Sequence, residues 1–164
     1  MIKKFTPRKR NRLEKHDYSS PGAYFITICT DKHKYLFWQE NNGNQLTSDH
    51  ISNLSEYGQI VDKAINDIPI YYPFVSVDKY VVMPNHIHIL LRIHTDEEGR
   101  PMVAPTISTI VQQTKGIVSK QIGHSVWQKL YYDHVIRNNN DYDEIWNYID
   151  KNPQKWKEDK FFNR

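Results

Sequence analysis

The chain contains a single cysteine, Cys29, among its 164 residues. One thiol cannot close an intramolecular disulfide and cannot supply the ligands of a zinc ribbon, so both cysteine-based scaffolds are excluded. No apolar run approaches the roughly 18–20 residues that a membrane span requires. The basic N-terminus leads into a polar turn and lacks the apolar stretch of a secretory signal. The sequence therefore predicts a cytoplasmic protein without membrane association.

Net charge is also low, at +3, but it is unevenly distributed. The first 16 residues carry a net charge of +6, and the rest of the chain carries −3. Aromatic residues make up 13% of the chain, which is enough to build a core and argues against disorder. These features predict a basic N-terminal arm over residues 1–17 and one folded domain over residues 18–164.

Strands are indicated where β-branched and aromatic residues cluster between turn-forming residues. We expect strands over residues 23–30, 74–83 and 86–93, and another within residues 126–137. Helices are indicated where apolar residues recur at spacings of three and four. We expect helices over residues 51–68, 107–122 and 141–152.

The ends of these helices carry recognisable signals. Ser48 or Asp49 is expected to cap the first helix, Gly123 to end the second, and one of the three asparagines Asn138, Asn139 and Asn140 to cap the third. Strands joined by short turns and separated by helices favour an α+β fold. We therefore predict an antiparallel β-sheet with helices packed mainly on one face.

The clearest chemical pattern is a pair of histidines, His86 and His88, on either side of Ile87. Side chains alternate along a strand, so the two imidazoles should share one face of the sheet while Ile87 faces the core. Two imidazoles at this spacing can bind one cation. A half-exposed strand with two surface histidines would show the same pattern, and the pair alone does not complete a metal site.

A second pattern lies at the end of the third helix. Tyr148 and Asn152 are four residues apart, hence on one helical face, just before Pro153. A phenol there can serve as a nucleophile, and the amide oxygen of Asn152 as a ligand. The chain has 11 tyrosines, so a helix tyrosine that merely packs against its neighbours remains the alternative.

Taken in order, these segments resemble a known family. The Met83-Pro84-Asn85-His86-Ile87-His88 segment is similar to the histidine–hydrophobe–histidine motif of HUH single-strand endonucleases. The further segments resemble REP-associated tyrosine transposases, which are relatives of the single-tyrosine insertion-sequence transposases. Those segments are residues 24–30, 127–129, 131–138, 141–142 and 147–153.

This resemblance implies a ferredoxin- or RRM-like HUH fold and a specific reaction. His86 and His88 would bind a divalent metal ion, Mg²⁺ or Mn²⁺, with Asn152 as the third ligand. Tyr148 would attack a DNA phosphodiester to give a covalent 5′-phosphotyrosine and a free 3′-OH. The substrate would be single-stranded DNA, folded as a hairpin. Both a monomer and a homodimer that shares its active sites remain open.

Other residues are weaker candidates for the same chemistry. Tyr142 is the chief competitor for the nucleophile, although it should point to a different helical face from Tyr148. His134 is expected to be structural. Arg137 and Lys151 can contact phosphate or simply be solvated.

The arm supplies basic residues that can bind DNA phosphates and release counterions. These are Lys3, Lys4, Arg8, Lys9, Arg10 and Arg12. Two other functions compete with the transposase. One is a non-catalytic, domesticated protein that binds DNA hairpins. The other is a metal-dependent phosphoester hydrolase, for which Asp78 is the nearby carboxylate.

Overall fold

The computed structural model describes residues 13, 15–39, 50–101 and 105–162. Its regular elements alternate between strands and helices along the chain. The strands are β1 (Gly22–Cys29), β2 (Val75–Met83), β3 (His86–Ile93) and β4 (Tyr132–Val135). The helices are α1 (Glu56–Asn66), α2 (Ile68–Tyr71), α3 (Ile107–Ile122) and α4 (Asn139–Lys151), with short 3-10 helices at Asp31–His33, His50–Asn53 and Trp156–Glu158.

The four strands form one antiparallel sheet in the order β2-β3-β1-β4. β1 and β3 are the central strands, and β4 lies at one edge, paired with β1 alone. The sheet and its helices confirm the predicted α+β class. Since β3 follows β2 through the two-residue turn at Pro84-Asn85, its first residue is His86.

Helices cover both faces of the sheet and divide the core in two. On one face, Ile87 and Ile89 of β3 pack in a cluster with Val61 of α1 and Ile110 of α3. On the other face, a second cluster brings together Leu90 of β3, Ile149 of α4 and the C-terminal aromatics Trp156 and Phe161. Because side chains alternate in β3, the histidines share the face that α4 covers.

Side chains cap the start of α3 and of α4 in the way that their sequences favour. The Thr106 side chain accepts a hydrogen bond from the Thr109 N–H at the start of α3, and Asn138 accepts one from the Asp141 N–H in α4. Gly123 ends α3 in the left-handed conformation, with φ of 96°. The predicted bounds of α3 are therefore confirmed, and the cap of α4 is the first of the three asparagines expected to supply it.

The first helix begins later than its sequence pattern predicts. α1 starts at Glu56, and its cap is Ser55, whose side chain accepts a hydrogen bond from the Gly58 N–H. The residues just before it form a 3-10 helix and an isolated bridge between Trp38 and Leu54. That bridge interrupts the helical spacing, so the prediction of a single helix from residue 51 is wrong. Ser48 and Asp49 lie outside the described residues.

The basic arm also lies largely outside the described residues. Lys3, Lys4, Arg8, Lys9, Arg10 and Arg12 all belong to that part of the chain. Just after the arm's basic residues, a ring nitrogen of His16 lies 3.1 Å from the hydroxyl of Tyr24 in β1. Among the described helices, none combines the length and apolar character needed to cross a bilayer.

Candidate active site

The two histidines meet at the buried start of β3. His86 and His88 are 0% and 1% exposed, and both project from the face covered by α4. Their Nε2 atoms lie 3.1 Å apart, and their ring centroids are 4.6 Å apart. The predicted convergence of the two imidazoles is thus present, and the pair is buried and not on a solvated surface.

Each histidine is held by a buried polar neighbour through its other ring nitrogen. The Nδ1 of His86 lies 2.8 Å from Oδ1 of Asn85. The Asn85 amide nitrogen donates to the Phe161 carbonyl, which fixes the amide so that its oxygen faces His86. His86 must therefore carry its proton on Nδ1, leaving the Nε2 lone pair free. The Nδ1 of His88 lies 2.7 Å from the Thr27 hydroxyl, whose oxygen can accept a hydrogen bond from the Nδ1–H in the same way.

Burial keeps both imidazoles neutral. It lowers the pKa of His86 well below its ordinary value, with further contributions from His88, Lys160 and His33. Burial, followed by the charge of Lys160, lowers the pKa of His88 to about 3. A neutral imidazole can donate its lone pair to a metal ion, whereas an imidazolium cannot.

Tyr148 lies beside the histidine pair. Its hydroxyl oxygen is 3.3 Å from Nε2 of His88, and its ring packs edge-on against the His88 and Phe25 rings. The side chain is 39% exposed, so its hydroxyl lies at the boundary between the buried pair and solvent. Partial burial, followed by the charge of Asp159, raises the pKa of Tyr148 to about 12. The phenol is therefore protonated at neutral pH.

These groups all belong to one chain. His86 and His88 are in β3, and α4 of the same chain brings Tyr148 to them. A helix supplied by a second subunit is not needed to assemble this arrangement.

Asn152 reaches the site together with a residue that the sequence pattern did not reveal. The Asn152 amide nitrogen donates to Oδ2 of Asp159 over 2.8 Å, and the Phe161 N–H donates to the other carboxylate oxygen over 2.7 Å. Ligand atoms of Asp159, His86 and His88 all lie within 4.8 Å of one another. Asp159 follows α4 in an irregular segment, so no periodicity in the sequence marks it.

The donor atoms fit a divalent cation. Two nitrogens that each lie about 2.1 Å from one ion are about 3.0–3.4 Å apart at roughly octahedral to tetrahedral angles. The observed Nε2 separation of 3.1 Å falls in that range. In addition, Oδ1 of Asn152 is buried and has no hydrogen-bond partner, although buried amide oxygens are normally paired. Carboxylate and amide oxygens are ligands that both Mg²⁺ and Mn²⁺ prefer, whereas the two imidazole nitrogens suit Mn²⁺ better than Mg²⁺.

The competing candidates lie elsewhere. The Tyr142 hydroxyl donates to Asp78, whose carboxylate also accepts hydrogen bonds from Ser76 and Arg92. Asp78 is therefore already paired within this network, which weakens the hydrolase alternative that relied on it. His134 pairs with Asp141 at 2.8 Å.

The remaining phosphate-contact candidates are both exposed. The Arg137 backbone N–H donates to Asp141. Lys151 lines a cavity of about 310 Å³ beside Tyr148.

Comparison with known proteins places this geometry in context. No protein-family model matches the chain. A Haemophilus influenzae relative named "Uncharacterized protein" is 33% identical over 174 residues, which cover 94% of this chain and 93% of the relative. The structure of a REP-associated tyrosine transposase bound to a REP hairpin shares the fold, with a TM-score of 0.61 and 23% identity over 88% of this chain and 74% of that one.

A second relative carries a family name. A Haemophilus influenzae protein named "Putative REP-associated tyrosine transposase" is 24% identical over 150 residues, covering 86% of this chain and 75% of the relative. The chain is thus similar in sequence to a protein named as a REP-associated tyrosine transposase, and it shares the fold of a solved one. The residues that the motif resemblance names as site residues, namely the histidine pair, Tyr148 and Asn152, lie close together in this chain.

Proposed function

We propose that this protein is a transposase of the REP-associated tyrosine type, a metal-dependent single-stranded DNA endonuclease and strand transferase that acts at hairpins through Tyr148. The observation that carries the proposal is the position of the Tyr148 hydroxyl, 3.3 Å from Nε2 of the buried His88. A tyrosine packed only for stability has no need of two neutral histidines converging beside its hydroxyl.

The reaction is a transfer of the phosphoryl group to the phenol. The Tyr148 oxygen attacks the phosphorus and forms the new P–O bond, while the bond between phosphorus and the 3′-oxygen breaks. The proton lost from the phenol is balanced by the proton gained by the departing 3′-oxygen. The products are a 5′-phosphotyrosine and a free 3′-OH. In the reverse reaction, a 3′-OH attacks the phosphotyrosine and rejoins the strand.

His86, His88, Asn152 and Asp159 are the residues that would hold the divalent cation. When bound, the cation would polarise a non-bridging phosphate oxygen and offset the charge that develops during attack. Asn85 and Thr27 keep the Nε2 lone pairs of the histidines directed to one point. The packing of Tyr148 against the Phe25 and His88 rings holds the phenol at the edge of this group.

The proposed substrate is a DNA hairpin with an unpaired flank. The solved transposase with the same fold is bound to a REP hairpin, which supports this substrate class. We also propose that the chain is divided into an arm over residues 1–17 and a catalytic domain over residues 18–164. In this scheme the basic residues of the arm add phosphate contacts outside the site.

The test is the formation of a covalent protein–DNA product. The full chain is incubated with Mn²⁺ and a pool of labelled DNA hairpins with randomised unpaired flanks, and the adduct is resolved by denaturing electrophoresis. Tyr148→Phe should form no adduct, because it lacks the attacking oxygen. The matched control is Tyr142→Phe, which removes a hydroxyl from the same helix and should retain the adduct.

Two outcomes would contradict the proposal in different ways. An adduct with Tyr148→Phe would show that another residue is the nucleophile, and an undiminished adduct in excess EDTA would remove the role of the metal. Tight hairpin binding without an adduct, in either Mg²⁺ or Mn²⁺, would instead favour the non-catalytic hairpin-binding protein.

A further inference from the structure

A cavity of about 260 Å³ opens beside the histidine pair, on the face of the sheet that α4 covers. Three of its lining residues are aromatic, and one is a lysine. The lining residues are Phe25, Thr27, Tyr132, Asp133, His134, Lys160 and Phe161. We call this space the edge cavity, because β4 forms the edge of the sheet there.

The strand register connects the edge cavity to the candidate active site. Thr27 of β1 pairs with His88 of β3 on one side and with Tyr132 of β4 on the other. Paired residues of neighbouring strands project to the same face, so His88, Thr27 and Tyr132 form a row across the sheet. Tyr132 therefore lies two strand spacings of about 4.8 Å each from His88. Thr27 both borders the cavity and contacts His88.

The walls of the edge cavity suit a flat aromatic ligand next to an anion. Phe25 and Phe161 are packed against the histidine rings and are thereby fixed, with centroid distances of 5.1 Å from Phe25 to His88 and 4.4 Å from Phe161 to His86. Tyr132 is 48% exposed, which leaves its ring free to cover an incoming group. Lys160 lines both this cavity and the one beside Tyr148, so a positive charge lies at their junction.

We propose that the edge cavity binds one unpaired nucleobase of the DNA, stacked on the Tyr132 ring. This base belongs to the nucleotide next to the phosphodiester that Tyr148 attacks. This inference rests on the proposed function, because it takes the phosphate position from the Tyr148 site. Nucleobases stack on aromatic side chains whatever their sequence, and each such contact contributes about 1–3 kcal/mol. A nucleotide whose phosphate lies at the histidines can place its base in the neighbouring cavity while Lys160 faces the backbone.

The experiment is a double-mutant cycle between the protein and the DNA. It uses the full-length Tyr148→Phe protein, so that binding is measured without cleavage, and a hairpin with an unpaired flank selected for retention by this protein. Abasic nucleotides replace each flank position in turn, and affinity is measured by fluorescence anisotropy. At one position, the abasic change should weaken binding by about 5- to 150-fold. Adding Tyr132→Ala should weaken binding of the intact hairpin to the same extent.

The decisive result is that the two changes are not additive. If the base stacks on Tyr132, the abasic hairpin should bind the Tyr132→Ala protein no more weakly than it binds the parent protein. Tyr132→Phe should preserve affinity because it keeps the ring. The matched control is Leu130→Ala, a neighbouring residue that is 56% exposed and does not line the cavity.

The inference would be overturned if the losses of affinity from the abasic change and from Tyr132→Ala were additive at every flank position. It would also be overturned if no abasic change weakened binding, or if the protein retained no hairpin at all. These results are separate from the adduct test. An adduct that forms normally without Tyr132 coupling would contradict the edge cavity alone. Coupling without an adduct would contradict the covalent chemistry alone.

Discussion

Each histidine of the site depends on one buried polar side chain that lies behind it. Asn85 is 0% exposed and orients His86, while Thr27 is 4% exposed and contacts His88. Such partners of metal-binding histidines fix the ring tautomer and orientation. The positions of the two Nε2 atoms therefore depend on Asn85 and Thr27, which are not themselves proposed to contact the cation.

A threonine-to-valine change tests this dependence. Thr27→Val keeps the shape of the side chain but removes the oxygen that faces Nδ1 of His88. We expect the affinity for Mn²⁺ to fall by about 10- to 100-fold, measured by isothermal titration calorimetry on the full chain. Thr114→Val is the matched control, since its buried hydroxyl donates to the Ile110 carbonyl in α3. Equal Mn²⁺ affinities for the two variants would contradict the positioning role of Thr27.

Sequence patterns reveal some residues of the site and hide others. His86, His88, Tyr148 and Asn152 can be found because alternation along a strand and a spacing of four along a helix place each pair on one face. Asp159 lies beyond α4, and its position depends on hydrogen bonds from Asn152 and from the Phe161 backbone. Those bonds form only after the chain has folded back, so no local spacing predicts them.

At the scale of whole elements, the orientation of α4 determines where Tyr148 lies. The Tyr142 hydroxyl of α4 donates to Asp78 of β2, and Arg92 of β3 donates to the same carboxylate oxygen. A third hydrogen bond comes from Ser76. This network ties the first turn of α4 to two strands, while Ile149 anchors the last turn in the core.

The Asp78 network should make stability depend on pH. Burial alone would raise the pKa of Asp78, but the hydrogen bonds from Ser76, Tyr142 and Arg92 together lower it. A lowered pKa stabilises the fold above the unfolded value of about 3.9, and this stabilisation is lost as the pH falls through the folded value. Asp78→Asn should therefore destabilise the protein by about 1–3 kcal/mol at pH 7. The difference should shrink below about pH 4, as measured by urea denaturation.

The control for Asp78→Asn is a carboxylate that is itself largely exposed. Asp150 bonds to Lys79, and its side chain is 56% exposed. Asp150→Asn should change the unfolding free energy at pH 7 by less than about 1 kcal/mol. If the difference in unfolding free energy between Asp78→Asn and the parent protein stays constant down to pH 3, the proposed titration of Asp78 is ruled out.

A glycine determines how closely α1 packs on the segment before it. A Cβ atom added to Gly58 would lie 2.1 Å from the Phe37 carbonyl oxygen, which belongs to the backbone and cannot rotate away. We expect Gly58→Ala to cost about 1–3 kcal/mol of unfolding free energy. Gly116 of α3 has open space at the same position, so Gly116→Ala should instead stabilise by about 0.5–1 kcal/mol. Thermal and urea unfolding distinguish these signs, and a stable Gly58→Ala protein would refute the clash.

The elements themselves differ in how well their sequences predict them. β1, β3 and α3 are close to expectation because each combines strong periodicity with clear end signals. α1 is shorter than expected because the Trp38–Leu54 bridge draws the preceding residues away from the helix. The pairing of β4 with β1, beside which the edge cavity lies, connects residues far apart in the sequence, so no local pattern predicts it.

For the molecule as a whole, positive charge is concentrated at the N-terminal end of the sequence. The first 16 residues carry +6 against −3 for the rest, while the proposed site uses neutral imidazoles. If a bound cation supplies the charge at the scissile phosphate, the arm is needed for affinity and not for chemistry.

Deleting residues 1–12 tests this separation. The deletion removes six basic residues, so hairpin affinity should fall, and the slope of log K against log salt should become shallower by about 4. Adduct formation at saturating DNA should persist, because every proposed site residue remains. The measurements are anisotropy titrations from low to high salt and the denaturing-gel assay. An unchanged salt slope would exclude the arm from DNA contact.

The arrangement of β3 and α4 within one chain has a genetic consequence. When catalytic groups are divided between subunits, two differently damaged copies can restore one intact site between them. Here the histidines and the tyrosine are encoded on the same polypeptide and meet within it. An allele without His88 and an allele without Tyr148 would therefore fail to complement each other. Each copy of the gene would encode either a complete site for the proposed reaction or none.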